Sequence, residues 1–403
     1  MTRLYVDTSM GDGVTRAGVA DVTERRGRSA TTFRYEDAYV AEGRAPISPG
    51  WGLAQRTVVS PSLPGVFADS APDRWGRLLL DRRERRDAAG GHRPARSLAD
   101  VDYLLGVADE TRQGALRFRR ETSGPPLASS TAGVPTTIEL PALLASADRV
   151  SRDPDDWSAV SELLDAGSGS LGGARPKASV RDADRLWIAK FPHPQDEWDV
   201  MAWEKTALDL AETAGLPVPE RRLERIDDRS VLLVARFDRG GRSRVGYVSA
   251  MTMLGAVDGT PGDYLDLVDP ITEHGARPTH DLFDLWRRVA FSAAISNVDD
   301  HLRNHGFLQT DEGWTFSPVF DVNPDPRKRS RVTSFDGAVE PAETLEALVR
   351  CADLIGVSAT RVTAMIDDVR HAVSSWRDVA RANGIGTSER ARFEPAFTMA
   401  SSA

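Results

Sequence analysis

Asp299 and Asn304 stand five residues apart in Asn297-Val298-Asp299-Asp300-His301-Leu302-Arg303-Asn304, and Asp321 follows within Phe320-Asp321-Val322-Asn323. A carboxylate at the first position can accept a hydroxyl proton, while the amide oxygen and the second carboxylate are hard ligands of the kind Mg²⁺ prefers. A second group is Gly167-Ser168-Gly169-Ser170-Leu171-Gly172-Gly173, whose G-x-G-x-x-G spacing lets backbone N–H groups come close to an anion. Here a helical stretch precedes the glycines and a hairpin follows. That order suits a mononucleotide phosphate loop rather than a dinucleotide fold, which has the strand first and the helix after. Lys190 closes the apolar run Leu186-Trp187-Ile188-Ala189-Lys190, where a charge is costly unless paired. Glu204, on the helix expected next, is its expected partner, an ion pair of the type that holds ATP phosphates. His301 and His305 raise a zinc reading, but no Cys lies near them to complete a set of N and S ligands.

Holding these groups in place requires elements that the hydrophobic pattern supplies. Short β-like runs (Leu4 to Val6, Thr32 to Tyr35) open the chain, and Ser70-Ala71-Pro72-Asp73 predicts a helix start with Ser70 as N-cap. The run DRRERRD from Asp81 to Asp87 interleaves both signs and is expected to be a solvated helix face. Residues 121–136 are rich in Ser, Thr, Pro and Gly with almost no large apolar side chains, which predicts a loop or linker. A helical stretch broken near Asp153-Pro154 follows, then a hairpin around the turn Arg181 to Asp184, a helix from Val200 to Ala214 and a strand from Val231 to Val234. Apolar residues recur at the helical period in Asp281 to Ser296 and from Val362 to Trp376, the latter helix ending at Asn383-Gly384. The expected division is 1–120 for an N-terminal subdomain, 121–136 for a linker, 137–239 for a small nucleotide lobe and 240–403 for a helical lobe.

Composition narrows the class. A chain of 403 residues usually folds as two or three packed units, and a net charge of −9 disfavours a protein that coats nucleic acid or anionic membranes. The single cysteine, Cys351, excludes an internal disulfide and fits a reducing compartment. With no apolar stretch of membrane-spanning length and no signal-peptide core at the start, a cytoplasmic location with no membrane contact is expected. Only four of the 51 basic residues are Lys (Lys177, Lys190, Lys205, Lys328), and two of them flank the glycine segment and the hairpin after it. An ammonium is a compact point charge suited to a tight phosphate site, unlike the broad guanidinium.

In these motifs and their order the sequence resembles the HipA family of serine/threonine kinases, the toxins of bacterial toxin–antitoxin pairs. The resemblance rests on Pro46-Ile47-Ser48, Phe67 to Arg77 and Gly114 to Phe118 in the N-terminal part. Further along it rests on Ser170 to Lys177, Ile188 to Pro192, Gly215 to Pro219, Val234 to Arg239, Asn297 to Asn304 and Ser317 to Asp321. It implies an α+β, bilobal, protein-kinase-like fold with a β-rich N-terminal subdomain and a mainly helical C-terminal lobe.

By that resemblance, Asp299 is the catalytic base, and Asn304 and Asp321 bind Mg²⁺. Gly172, Gly173, Ala174, Arg175, Pro176, Lys177 and Lys190 take the ATP phosphates, with Glu204 pairing Lys190. Ala235, Arg236 and Phe237 surround adenine mainly through backbone groups, Asp238 lies near the ribose, and His301 belongs to the same nucleotide motif. Ser170, or Ser168 two residues before it, is an autophosphorylated serine. The implied cofactors are ATP and Mg²⁺. The implied partners are a protein substrate with a Ser or Thr acceptor and a small helix-turn-helix antitoxin, HipB-like, through which alone DNA is reached. Two alternatives share the same residues: a nucleotide-binding co-repressor or scaffold without transfer activity, and a small-molecule kinase. Asp321-Val322-Asn323 lacks the Phe-Gly of ordinary kinases, so activation-loop behaviour is not implied.

Overall fold

The computed structural model describes residues 1–11, 13–25, 28–127, 133–168, 173–240, 243–257, 259, 262–327 and 330–400. Its strands are β1 (Thr2–Thr8), β2 (Thr15–Arg25), β3 (Arg28–Tyr35), β4 (Thr57–Ser60), β5 (Leu116–Arg119), β6 (Lys177–Asp182), β7 (Arg185–Lys190), β8 (Arg221–Ile226), β9 (Arg229–Ala235), β10 (Arg239–Gly240), β11 (Ser243–Arg244), β12 (Tyr247–Ser249), β13 (Gly306–Thr310) and β14 (Gly313–Phe316). The α-helices are α1 (Asp37–Ala41), α2 (Gly65–Ala68), α3 (Arg74–Gly90), α4 (Asp100–Gly106), α5 (Leu140–Arg152), α6 (Trp157–Asp165), α7 (Val200–Thr213), α8 (Ala250–Met253), α9 (Val268–His274), α10 (Pro278–Ala294), α11 (Pro341–Arg350), α12 (Ala359–Ser374), α13 (Trp376–Ala382) and α14 (Thr387–Phe393). They form two compact units, Met1–Gln195 with Ile226–Val248, and Asp196–Arg225 with Ser249–Ala403.

In the first unit, β4-β3-β2-β1-β5 make an antiparallel sheet. Leu4, Val6, Ala20, Val22, Phe33 and Phe118 are buried at alternate positions, as a sheet with one packed face requires. A second antiparallel arrangement joins β6, β7 and β9. Ala178, Val180, Trp187, Ala189, Val231 and Leu233 share a hydrophobic cluster with Leu143, Leu144 and Val150 of α5 and Val160 and Leu163 of α6. Trp75 and Leu79 of α3 belong to that cluster too, so the N-terminal subdomain and the second sheet have one continuous core. Side chains alternate across a strand, so Lys177, Lys190, Leu232 and Val234 occupy the face turned away from these helices.

The second unit is built on α10, where Leu285, Trp286, Val289, Ala290 and Ala293 are fully buried. Trp286 Nε1–H donates to Leu348 O at 3.0 Å, and its ring meets Phe335 edge-on at 4.9 Å. A separate aromatic cluster stacks Trp203 of α7 on Phe393 at 3.9 Å and Trp376 on Phe397 at 4.4 Å.

Three expectations change. The helix after residue 70 opens at Arg74 with Asp73 as its capping residue, whereas Ser70 ends the turn of α2, its N–H donating to Phe67 O at 3.1 Å. Ala71 precedes Pro72, which biases it away from helical backbone, so the helix cannot run in from Ser70. The helix expected to continue from Val362 to Asn383 is interrupted at Ser375 and resumes as α13. Finally, the chain changes unit after Val248, and Asp196–Arg225 joins the second unit. Glu204 therefore belongs to that unit and Lys190 to the first.

Candidate functional site

Lys177 and Lys190 are directly opposite in the β6–β7 register and are only 5% and 8% exposed. Opposed residues on one sheet face have Cβ atoms roughly 5 Å apart, and like charges so placed repel. Two ammonium groups so placed are stabilised by negative charge on the same face. Residues Ala174, Arg175 and Pro176 lead into β6, with Pro176 O accepting the Phe191 N–H at 3.0 Å. Gly173 has φ of +93°, and a Cβ there would lie 2.4 Å from Lys177 Nζ, so only glycine allows the ammonium this close to the backbone. Ser170 and Gly172 lie outside the described residues. Ser168 is fully buried, with its Oγ lacking any hydrogen-bond partner. A hydroxyl so placed is shielded from solvent.

The segment after β9 departs from expectation. Arg236 N–H donates to Leu186 O at 2.9 Å, which keeps Ala235 and Arg236 in line with the sheet, and the Phe237 ring faces Tyr247 at 6.3 Å. Asp238, however, is fully buried. One of its oxygens accepts from Arg236 Nε at 2.8 Å, and the other from Arg236 Nη2 at 2.6 Å, Arg239 Nη1 at 2.8 Å and the Gly114 N–H at 2.8 Å. Burial alone would raise this carboxyl, but the two guanidiniums hold it well below the usual carboxylate range. Arg236 also donates to Thr111 O at 2.6 Å and Arg239 to Arg112 O at 2.6 Å. Asp238 thus clasps the segment 111–114 to the strand end. Nothing local in the sequence signals it, because Gly114 is 124 residues away.

In the second unit, α10 leads into the segment Asn297 to Asn304. Past Ala294 the helix closes with Ser296 in the left-handed region at φ +51°, and the Asn297 N–H returns to Ser292 O at 2.9 Å. The two adjacent aspartates then face opposite environments, since Asp299 is exposed and Asp300 is 2% exposed. Asp300 accepts from Ser292 Oγ at 2.5 Å and from His305 Nε2 at 2.8 Å, and the ring must be the donor because a carboxylate only accepts. Burial would raise its pKa, but His305, Arg331 and Ser292 hold Asp300 well below the usual carboxylate range. The network runs on: Asn297 Nδ2 donates to Ser292 Oγ at 3.0 Å, and the Asn323 N–H donates to Asn297 Oδ1 at 3.3 Å. The Asp325 N–H, in turn, reaches Ser296 O at 3.2 Å. Asp321 therefore opens a segment pinned to the loop that carries Asp299 and Asn304. It has φ of +57°, in the left-handed region that Asp adopts more readily than most side chains.

Asn304 donates through Nδ2 to Asp299 O at 3.1 Å. Only the amide nitrogen can donate to a carbonyl, so the contact fixes the amide orientation and turns Oδ1 away from Asp299 O. By donor type, Asn304 Oδ1 and the Asp321 carboxylate are the hard oxygens that Mg²⁺ takes, one or two from protein with phosphate and water completing the shell. Among the described residues no three of His, Cys, Asp and Glu gather as a metal cage, and Mg²⁺ held in that way needs none. His301 is half-buried with Nδ1 buried and unpartnered, a polar atom that suits a ligand contact. The sequence reading missed Ser292, Asn297 as a bridge, Asp300 and Asn323. The doubled aspartate was the available signal, because neighbours on an extended loop point to opposite sides.

Comparisons with known proteins bear on the family and the fold. A family model described as the HipA N-terminal domain matches residues 14–117, and one described as the HipA-like C-terminal domain matches residues 169–376. No curated protein matches the chain. Among solved structures, one chain from the Shewanella oneidensis MR-1 complex of HipA, HipB and operator DNA is similar at TM-score 0.71 and 16% identity, covering 98% of this chain and 95% of that one. The Helicobacter pylori proinflammatory kinase CtkA gives TM-score 0.42 at 16% identity, over 57% of this chain and 88% of its own. Choline kinase LicA from Streptococcus pneumoniae gives 0.19 at 13% identity, over 58% and 92%. Matched by both domain models, the chain belongs to the HipA family and has its kinase-like fold of mixed helix and sheet.

Proposed function

We propose that this chain is an ATP- and Mg²⁺-dependent serine/threonine protein kinase of the HipA toxin type. The observation that carries the reading is the split between the exposed Asp299 carboxylate and the buried, fully bonded Asp300 beside it. With its neighbour locked in the buried network, the Asp299 carboxylate stands where an acceptor hydroxyl can reach it. In the proposed reaction Asp299 accepts the acceptor hydroxyl proton as that oxygen bonds to the γ-phosphorus, and the bond from phosphorus to the β,γ-bridging oxygen breaks to release ADP. Lys177 and Lys190 hold phosphate oxygens, His301 offers Nδ1 to the nucleotide, and the backbone of Ala235 to Phe237 borders adenine. Asp238 and Arg236 act on that border only by positioning it, and Glu204 is the proposed partner of Lys190. Mg²⁺, held by Asn304 and Asp321, supplies charge neutralisation at the transferring phosphate.

Family membership and the likeness to a HipA solved with HipB and operator DNA support a small HipB-like, helix-turn-helix antitoxin as partner, with DNA reached through it. Among the described residues no helix is long and apolar enough to cross a membrane. A cytoplasmic location is part of the proposal. The test is incubation of the purified chain with γ-labelled ATP and Mg²⁺ followed by peptide mapping. Label on a serine, Ser170 above all, supports a protein kinase. Absence of any label with ATP still bound would favour the non-transferring co-repressor, and label passing only to small molecules would overturn the protein-kinase reading.

A further inference from the structure

Asp73 does two jobs from one side chain. Its Oδ1 accepts the Arg74 N–H at 2.9 Å and caps α3, and its Oδ2 accepts the Gly173 N–H at 2.8 Å, 100 residues further along the chain. In return the Trp75 N–H donates to Gly173 O at 3.3 Å. The first N–H groups of a helix have no partner within it, and here one of them is satisfied by Gly173. Both backbone polar groups of Gly173 are therefore held by the first turn of α3. Gly173 is also the residue against which the Lys177 ammonium rests. Neither anchor is loose, because Trp75 and Leu79 sit in the same hydrophobic cluster as Ala178 and Val180 of β6.

We propose that Asp73 is a positioning residue for the nucleotide loop: the N-terminal subdomain fixes the end of that loop at Gly173 and so sets where the Lys177 ammonium meets phosphate. The inference rests on the nucleotide-binding reading given above and assigns the N-terminal subdomain a part in ATP binding.

The chemistry of the side chain separates this role from helix capping. Asn caps helices as well as Asp does, but it offers one acceptor oxygen where the carboxylate offers two. Asp73→Asn therefore retains the cap and gives up the hold on Gly173. Asp73→Ser retains a capping hydroxyl on a side chain too short to serve both partners, and it decides the matter should the Asn variant fold poorly. In the full-length chain, hydrogen exchange and Mg-ATP binding are measured for the wild type and both variants. The expected result is exchange about tenfold faster at Gly173, a dissociation constant for Mg-ATP raised about tenfold, and unchanged protection of β9, as loss of one charge-assisted hydrogen bond predicts. Wild-type exchange at Gly173 and wild-type ATP affinity in a folded variant would overturn the proposal. A uniform rise in exchange across the first unit would overturn it too, because the role would then be structural. A wild-type chain that binds no ATP sinks the nucleotide reading and this role with it, while exchange at Gly173 would still report whether Asp73 holds the segment.

Discussion

The two aspartates at 299 and 300 make opposite predictions. Asp299 is exposed, so Asp299→Asn should leave the unfolding midpoint within about 1 °C while phosphoryl transfer falls by roughly 10²–10⁴, the usual contribution of a positioned base. Retained transfer from γ-labelled ATP in that variant removes Asp299 from the mechanism. Asp300→Asn should instead destabilise by about 3 kcal/mol, since it breaks a buried pair with His305. The pH dependence follows from the direction of the shift. The folded pKa of Asp300 lies below its unfolded value of about 4, so its contribution is complete above that value and fades as the pH falls through the folded pKa. Urea midpoints should differ fully between wild type and variant at pH 7, and the gap should narrow only in strong acid. A gap that widens on acidification would show that the carboxylate is not the stabilising form. Asp321 calls for a third choice of substitution, because at φ +57° an Asn is tolerated and an Ala is strained. Asp321→Asn should lose Mg²⁺-dependent transfer at unchanged stability, whereas Asp321→Ala should lose both, the second by about 1 kcal/mol.

At the scale of elements, the pattern of apolar residues carried far in some places and failed in others. The break between α5 and α6 was legible because Pro154 lacks the N–H a continuing helix needs, and β6 and β7 were legible from alternation around Ala183-Asp184. The start of α3 was not, because Ser70 and Asp73 are both good caps and only the neighbourhood of Phe67 and Gly173 separates them. Nor was the clasp around Asp238, whose partners are distant in sequence. The excess of Arg over Lys does have a local meaning here. Arg112 bonds Ser70 O and Val107 O at 3.0 Å each, while Arg236 and Arg239 bond several carbonyls of residues 110–114, and a planar fork serves such multiple acceptors where an ammonium does not. Under the proposed function, Lys177 and Lys190 are the cations that meet phosphate. Asp238→Asn should cost about 3 kcal/mol in denaturant unfolding, because two buried guanidiniums lose their counter-charge. A variant as stable as the wild type would mean that the clasp does not hold the strand end.

On the scale of the whole molecule, the chain does not divide where its sequence suggests. The second unit takes Asp196–Arg225 from the middle of the first, and that excursion supplies part of its core rather than a surface strap. Trp203 is 1% exposed, stacks on Phe393 and donates through Nε1 to Glu389 at 2.8 Å, and Lys205 Nζ reaches Asn383 Oδ1 at 3.1 Å. Removing a buried aromatic of this size costs about 3–5 kcal/mol, a large share of what a domain has in hand. A fragment of residues 249–403 should therefore show no cooperative melting, although it includes every helix from α8 onward and all of the catalytic motif. Co-expression with residues 196–225 should restore cooperative unfolding, and the same pair carrying Trp203→Ala should not. Cooperative melting of 249–403 alone would show that the later helices pack without α7, and the sequence division near residue 240 would then be the physical one.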